Sequence, residues 1–129
     1  MTQENRDLLL KDLAARLPYT CRVFYEYVDD LDGKTYGYSL TLNTWCINEF
    51  VANKAVIKPY LRPMSSMTEE EYRDLKSISS YYGFAPYEYI GDWCPNYEMV
   101  DWCNKNHFDY RGLIEKGLAI EVTDIPYNP

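Results

Sequence analysis

His107 is the sole histidine of the chain, so any catalytic triad, cysteine–histidine dyad or imidazole base must pass through it. Cys103 stands four residues earlier, a spacing that lets a thiol and an imidazole meet on one face of a helix. No nucleophile signature flanks the pair. A partly exposed polar residue beside a buried thiol near a helix end is the better reading, and no catalytic residue is assigned.

Cys94, Cys103 and His107, with Cys21 or Cys46 as a fourth ligand, contain the atoms of a zinc site. Structural zinc is usually held by ligand pairs only about two to four residues apart. No such cysteine pair exists here, so these side chains are expected to be small buried hydrophobes and no metal is implied. The glycines (Gly33, Gly37, Gly83, Gly91, Gly112, Gly117) never form a dinucleotide fingerprint, a phosphate loop or a nucleophile elbow. No cofactor is expected. Asp29, Asp30 and Asp32 crowd one turn, but without the ligand spacing and closing glutamate of a calcium loop; an ordinary turn is the better reading.

The remaining candidate is a binding surface. Phe84, Tyr87, Tyr89 and Trp93, with Tyr81 and Tyr82 just before them, place many rings on the connector 84–96. Tyrosine and tryptophan bury large areas at low entropic cost and concentrate at interaction hot spots. The competing reading is that these rings pack onto the core as a lid.

Elements that could position such groups can be read from pattern. Leu9, Leu13 and Leu17 recur at helical spacing, with Arg6, Asp7, Lys11 and Asp12 on the other side. Thr2 is the expected N-cap and Pro18 the stop. Residues 20–28 and 34–42 read as a hairpin about the Asp29–Gly33 turn, with Tyr36, Tyr38, Leu40 and Leu42 sharing one face. Residues 44–51 and 54–58 read as two further strands, giving a four-stranded antiparallel meander of SH3-like or Sm-like type. Pro59 and Pro63 then bracket a rigid connector.

Thr68-Glu69-Glu70-Glu71 has the form of a capping box, with Met67 and Tyr72 at the positions of a hydrophobic staple. That helix should run to about Ser80. A third helix is expected from near Pro95 to Lys105, a short fourth over 110–116 capped by Asp109, and a terminal strand over 118–122. The fold class is therefore α+β in one domain over residues 1–129. Residues 1–63 form a helix plus meander, and residues 64–129 a mainly helical part.

The chain has 129 residues, 47% hydrophobic and 26% charged, a composition that folds around a single core. A formal net charge of −7 gives nucleic-acid binding no counterion-release advantage. Such binding would require Arg22, Lys34, Lys54, Lys58 and Arg62 to gather on one face. Neither a leader-like apolar core nor a run near the roughly 20 residues of a membrane span is present. A cytoplasmic setting with free thiols is expected, with another protein as partner and no membrane.

Three stretches, LLLKDLAARLPY (8–19), KPYLRPMSSMTEEE (58–71) and HFDYRGLIEKGLAIE (107–121), together resemble a family. It consists of small uncharacterised proteins common in Bacteroides-type gut bacteria, often within phage-like or other mobile regions. The resemblance implies an intracellular setting and a mobile-element origin, and carries no activity, cofactor or catalytic residue. Within the shared strings, Arg62 and Arg111 lack an evident local role and are expected to pair with carboxylates or a ligand. The expected function is that of a non-catalytic binding or accessory protein. The alternatives are a small enzyme built on Cys103 and His107, and a nucleic-acid-associated protein using the meander.

Overall fold

Thr2 begins the first helix. Its extended backbone (φ −70°, ψ 159°) lets its side-chain oxygen accept from the Asn5 amide at 3.1 Å, capping α1, Gln3–Arg16. This is seen in a computed structural model that describes residues 1–78 and 97–122. Past α1, Leu17–Tyr19 tighten into a 3-10 turn around Pro18, and Thr20 reverses the chain at φ 49°. Leu9 and Leu13 are fully buried, as their spacing predicts. Asp12, expected on the outer side, is also fully buried, together with Arg16. Periodicity places charges outward by default; here a carboxylate and a guanidinium enter the interior as a pair.

The hairpin forms as anticipated. β1 (Arg22–Val28) and β2 (Thr35–Thr41) pair in unbroken antiparallel register from Arg22↔Thr41 to Val28↔Thr35. Asp29 closes the turn: its carboxylate accepts from the Leu31 amide at 2.7 Å, and its carbonyl from the Gly33 amide at 2.9 Å. Gly33 takes φ 69°, which a side chain would resist. Gly37 serves another purpose, because a Cβ there would run into the Phe24 ring lying across it.

Residues 44–51, expected as a strand, are instead a helix, α2 (Thr44–Val51). Asn43 is its N-cap and accepts from the Cys46 amide at 2.9 Å. Cys46 and Phe50, at i and i+4, are buried and Ile47 is partly so. The cap and this apolar spacing outweigh the β-branched and aromatic content of the segment. β3 then runs Val56–Pro63, straight through the expected proline connector. Proline fixes φ within the extended range, and Pro63 at φ −63°, ψ 146° closes the strand without breaking it.

The sheet order is β2-β1-β3-β4, with β5 also on β3. β1 is antiparallel to β2 and to β3, whereas β4 (Phe108–Asp109) and β5 (Ile120–Glu121) run parallel to β3. The α+β class and the N-terminal helix stand. The antiparallel SH3-like meander is corrected to a mixed sheet with a helix inserted before its third strand. Two more helices, α3 (Glu69–Ile78) and α4 (Tyr97–Lys105), follow β3.

The capping box at the start of α3 is present in both directions. The Glu71 amide donates to Thr68 Oγ1 at 3.1 Å, and the Thr68 amide donates to Glu71 Oε1 at 3.0 Å. The expected helix over 110–116 is a single turn instead. Asp109 does cap it, taking the Leu113 and Ile114 amides at 2.9 Å each, but Gly112 and Gly117 sit at φ 74° and 72° and confine it.

Two apolar clusters form the interior. The larger joins Leu9 and Leu13 to Val23, Ile57 and Leu61 of the sheet, to Phe50, and to Leu113 and Leu118. The smaller gathers Met64, Cys103 and Phe108, with Trp102 and Tyr110 at its margin. Among the described residues, no helix is long and apolar enough to cross a membrane.

Candidate functional site

Charged side chains converge where α1, β4 and α4 meet. Asp12 Oδ2 accepts from Arg16 Nε at 2.8 Å with both side chains fully buried, and Asp12 Oδ1 accepts from Arg111 Nε at 3.2 Å. Arg16 reaches on to the Phe108 carbonyl oxygen through Nη2 at 2.6 Å. Arg111 Nη2 donates to Tyr110 Oη at 3.0 Å, and that hydroxyl donates to Asn104 Oδ1 at 2.9 Å. Burial works to lower the Arg16 pKa, but the Asp12 charge and hydrogen bond outweigh it and hold it above its ordinary value.

Next to this network, Arg62 forms a bidentate pair with Glu71 at 2.6 and 2.8 Å, and its Cζ lies 4.3 Å from the centroid of the Phe108 ring. Burial raises the Glu71 pKa, yet the Arg62 hydrogen bonds and the Thr68 amide more than offset this and keep it low. Arg62 and Arg111 thus pair with carboxylates. Both guanidinium groups tie segments together, and the cluster is chiefly a scaffold. Of its polar side-chain atoms, Arg16 Nη1 and Arg62 Nε have no hydrogen-bond partner among the described residues.

Cys103 and His107 both lie in this interior. Burial pushes the Cys103 thiol up to about 12, with the Arg16 charge only partly opposing it. Burial, then the charges of Arg16 and Arg62, pull the His107 imidazole down to about 4. Near neutral pH the pair is a thiol and an uncharged ring, the opposite of the thiolate–imidazolium state that an activated cysteine requires. His107 takes φ 64°, so its position also serves the backbone turn between α4 and β4. Among the described residues, no group of three or more histidine, cysteine or acidic side chains is placed to hold a metal. The Asp29 and Asp32 carboxylates accept from amides of their own turn.

A different kind of site lies on the hairpin. Alternation sets Tyr25 and Tyr27 of β1 on the same sheet face as Tyr36 and Tyr38 of β2. Their ring centroids are 5.3 Å apart for Tyr25–Tyr38, 6.0 Å for Tyr27–Tyr36 and 6.4 Å for Tyr27–Tyr38. Trp45, carried by the first turn of α2, stacks on Tyr25 at 4.9 Å and 23°. Tyr25 is buried at the root of this platform, but Tyr36, Tyr38 and Trp45 remain 42%, 44% and 47% exposed.

Carboxylates hold the phenols. Tyr25 Oη donates to Glu49 Oε1 at 3.4 Å, and Tyr36 Oη makes a short bond to Asp32 Oδ2. That bond, helped by the Lys34 amide, lowers the Asp32 pKa, and the same bond, with some burial, raises that of Tyr36. Beside the rings, a cleft of about 660 Å³ runs along Tyr25, Tyr27 and Val28, edged by Glu26, Asp30 and Glu49 and by Arg6 and Lys54. Arg6 is engaged with Phe50, donating to its carbonyl at 3.2 Å with Cζ 4.8 Å from its ring.

Phe84, Tyr87, Tyr89 and Trp93, the binding residues expected from sequence, lie outside the described residues, as does Cys94. The hairpin platform was not anticipated. Its signal was the alternation of Tyr36 and Tyr38 opposite Tyr25 and Tyr27, but reading 44–51 as a strand removed Trp45 from it. The basic residues do not all reach one surface, since Arg62 is buried against Glu71. No family model, curated protein or solved structure matches this chain.

Proposed function

We propose that this chain is a non-catalytic binding or accessory protein that engages another protein through the hairpin platform. One observation carries the reading: Tyr36, Tyr38 and Trp45 stay exposed while their rings adjoin those of Tyr25 and Tyr27 in one continuous aromatic face. Solvated rings held in fixed positions lose little entropy on docking, which is why such residues dominate interface energetics. The buried, unionised Cys103 and His107 weigh against the enzyme alternative. The net charge of −7 and the sequestration of Arg62 weigh against nucleic acid. An intracellular setting and a mobile-element origin belong to the same proposal and rest on the family resemblance.

The test is affinity capture from the native host with the native chain and with a Tyr38→Ala/Trp45→Ala double variant, followed by reconstitution with the purified partner. A partner bound by the native chain and at least about ten-fold weaker with the folded variant supports the reading. Equal capture by both chains overturns it, as does saturable binding of a soluble oligosaccharide at Trp45 with no protein partner.

A further inference from the structure

β2 ends the sheet path, and its outer edge has no strand beside it among the described residues. Edge strands in stable proteins are generally blunted by proline, by inward or flanking lysine, by bulges or by shortness. Over Thr35–Thr41 β2 has seven residues, no proline, no charge and no bulge in its register with β1, and the flanking Lys34 is the one such device beside it. Among the described residues its outer backbone groups therefore form an open template, and Tyr36 and Tyr38 stand on that same strand.

Charge is distributed unevenly about this edge. Asp29, Asp30 and Asp32 gather at the Thr35 end, with Lys34 the one base in the turn. Asp32 is fixed on the Tyr36 hydroxyl, and Glu49 on that of Tyr25. Tyrosine rings with carboxylates at their rims attract a cation to the ring face and anchor its charge at the edge. A long basic side chain matches both, since its aliphatic stem covers a ring while its head reaches a carboxylate.

We infer that β2 accepts an extended, lysine- or arginine-bearing segment of a partner protein as an additional strand, with its basic side chains over Tyr36 and Tyr38 and toward Asp32. Main-chain hydrogen bonds to the outer edge of β2 supply affinity, and the alternate side chains facing the platform supply selectivity. An acidic segment would meet charges of its own sign at the turn. A second copy of this chain would bring the uncharged β2 strand, with Lys34 alone beside it, and a net charge of −7, so it matches the carboxylates less well than a basic segment does. The inference rests on the platform being a protein-docking face.

Three synthetic probes test it on the full chain: an alternating lysine–valine octapeptide, its glutamate–valine counterpart, and the lysine–valine peptide N-methylated at alternate amides. Binding is followed by amide chemical shifts and hydrogen exchange at Thr35–Thr41 and by Trp45 fluorescence. The lysine peptide is expected to bind saturably, to slow exchange along β2, and to weaken with added salt. The glutamate and N-methylated peptides should each bind at least about ten-fold more weakly, and Asp32→Asn should reduce lysine-peptide affinity several-fold.

Equal binding of the lysine and glutamate peptides, indifference to N-methylation, or no perturbation of β2 overturns strand addition. If strand addition fails while the Tyr38→Ala/Trp45→Ala chain still loses its protein partner, the platform reading stands without it. If that variant keeps every partner, the platform reading itself has failed.

Discussion

Arg16 and Phe108, 92 positions apart in the chain, are joined by a 2.6 Å hydrogen bond from the Arg16 guanidinium to the Phe108 carbonyl oxygen. The same guanidinium holds Asp12 at 2.8 Å, and Asp12 in turn receives Arg111 at 3.2 Å. One side chain of the first helix therefore satisfies a carboxylate within its own helix and a backbone acceptor in β4. Removing one partner of such a pair costs far more than the pair itself contributes, because a buried charge is stranded.

Arg16→Met is expected to lower stability by about 3–5 kcal/mol in urea unfolding, because Asp12 and the Phe108 carbonyl lose a buried donor. The Asp12→Asn/Arg16→Met double variant should cost clearly less than the sum of the single changes. Additive costs would mean that the pair is not coupled in the folded protein.

Glu71 does two jobs, and its substitutions should separate them. Thr68→Ala removes one half of the capping box and should cost about 1 kcal/mol. Glu71→Ala removes the other half and also strands the buried Arg62, so a loss of roughly 3 kcal/mol or more is expected. If the two variants melt within a degree of one another, the Arg62 pair contributes nothing measurable.

His107 makes stability depend on pH in a defined window. Its folded pKa, held at about 4 by burial and by Arg16 and Arg62, lies below the ordinary value of 6.5. Between these values the unfolded chain binds a proton that the native ring refuses. Stability from this source is complete above about pH 6.5 and falls as the pH drops toward 4, by on the order of 2 kcal/mol. Asp109, whose carboxyl is raised chiefly by burial, acts in the opposite sense, so the measurement is the difference between native and His107→Asn chains. Asparagine accepts the positive φ of this position, and the variant should lose less stability than the native chain between pH 6.5 and 4. Parallel profiles would contradict the neutral, buried ring.

Cys21 and Cys103 are fully buried free thiols, each pushed up to about 12, with burial the largest cause. In a Cys94→Ser background at pH 8, both should resist alkylation in the native state and react at least about a hundred-fold faster in denaturant. Mass spectrometry of the alkylated peptides reads the outcome. Rapid native-state labelling of Cys103 would reopen a chemical role for it.

The features legible from sequence are those whose cause lies within a few residues. The Thr2 cap, the Pro18 stop, the Asp29–Gly33 turn and the Thr68–Glu71 box are each complete in a short window, and each is present. Residues 44–51 failed for the complementary reason: their aromatic and β-branched composition suited a strand, while the Asn43 cap and the Cys46–Phe50 spacing suited a helix. Packing against α1 and the sheet is consistent with the second pattern. The PYLRP segment became sheet because β1, β4 and β5 were there to pair with it.

What the sequence determined alone was the class of the fold, its local punctuation, the acidic charge, and the pairing of Tyr36 with Tyr38 on one side of a strand. Only the tertiary structure decided that Asp12, Arg16 and Arg62 lie inside, that β3 carries two parallel neighbours, and that the tyrosine face is left open with Trp45 stacked at its root. The division follows from distance along the chain. Caps and turns depend on neighbours in sequence, whereas burial of a charge or exposure of a ring depends on groups that only folding brings together.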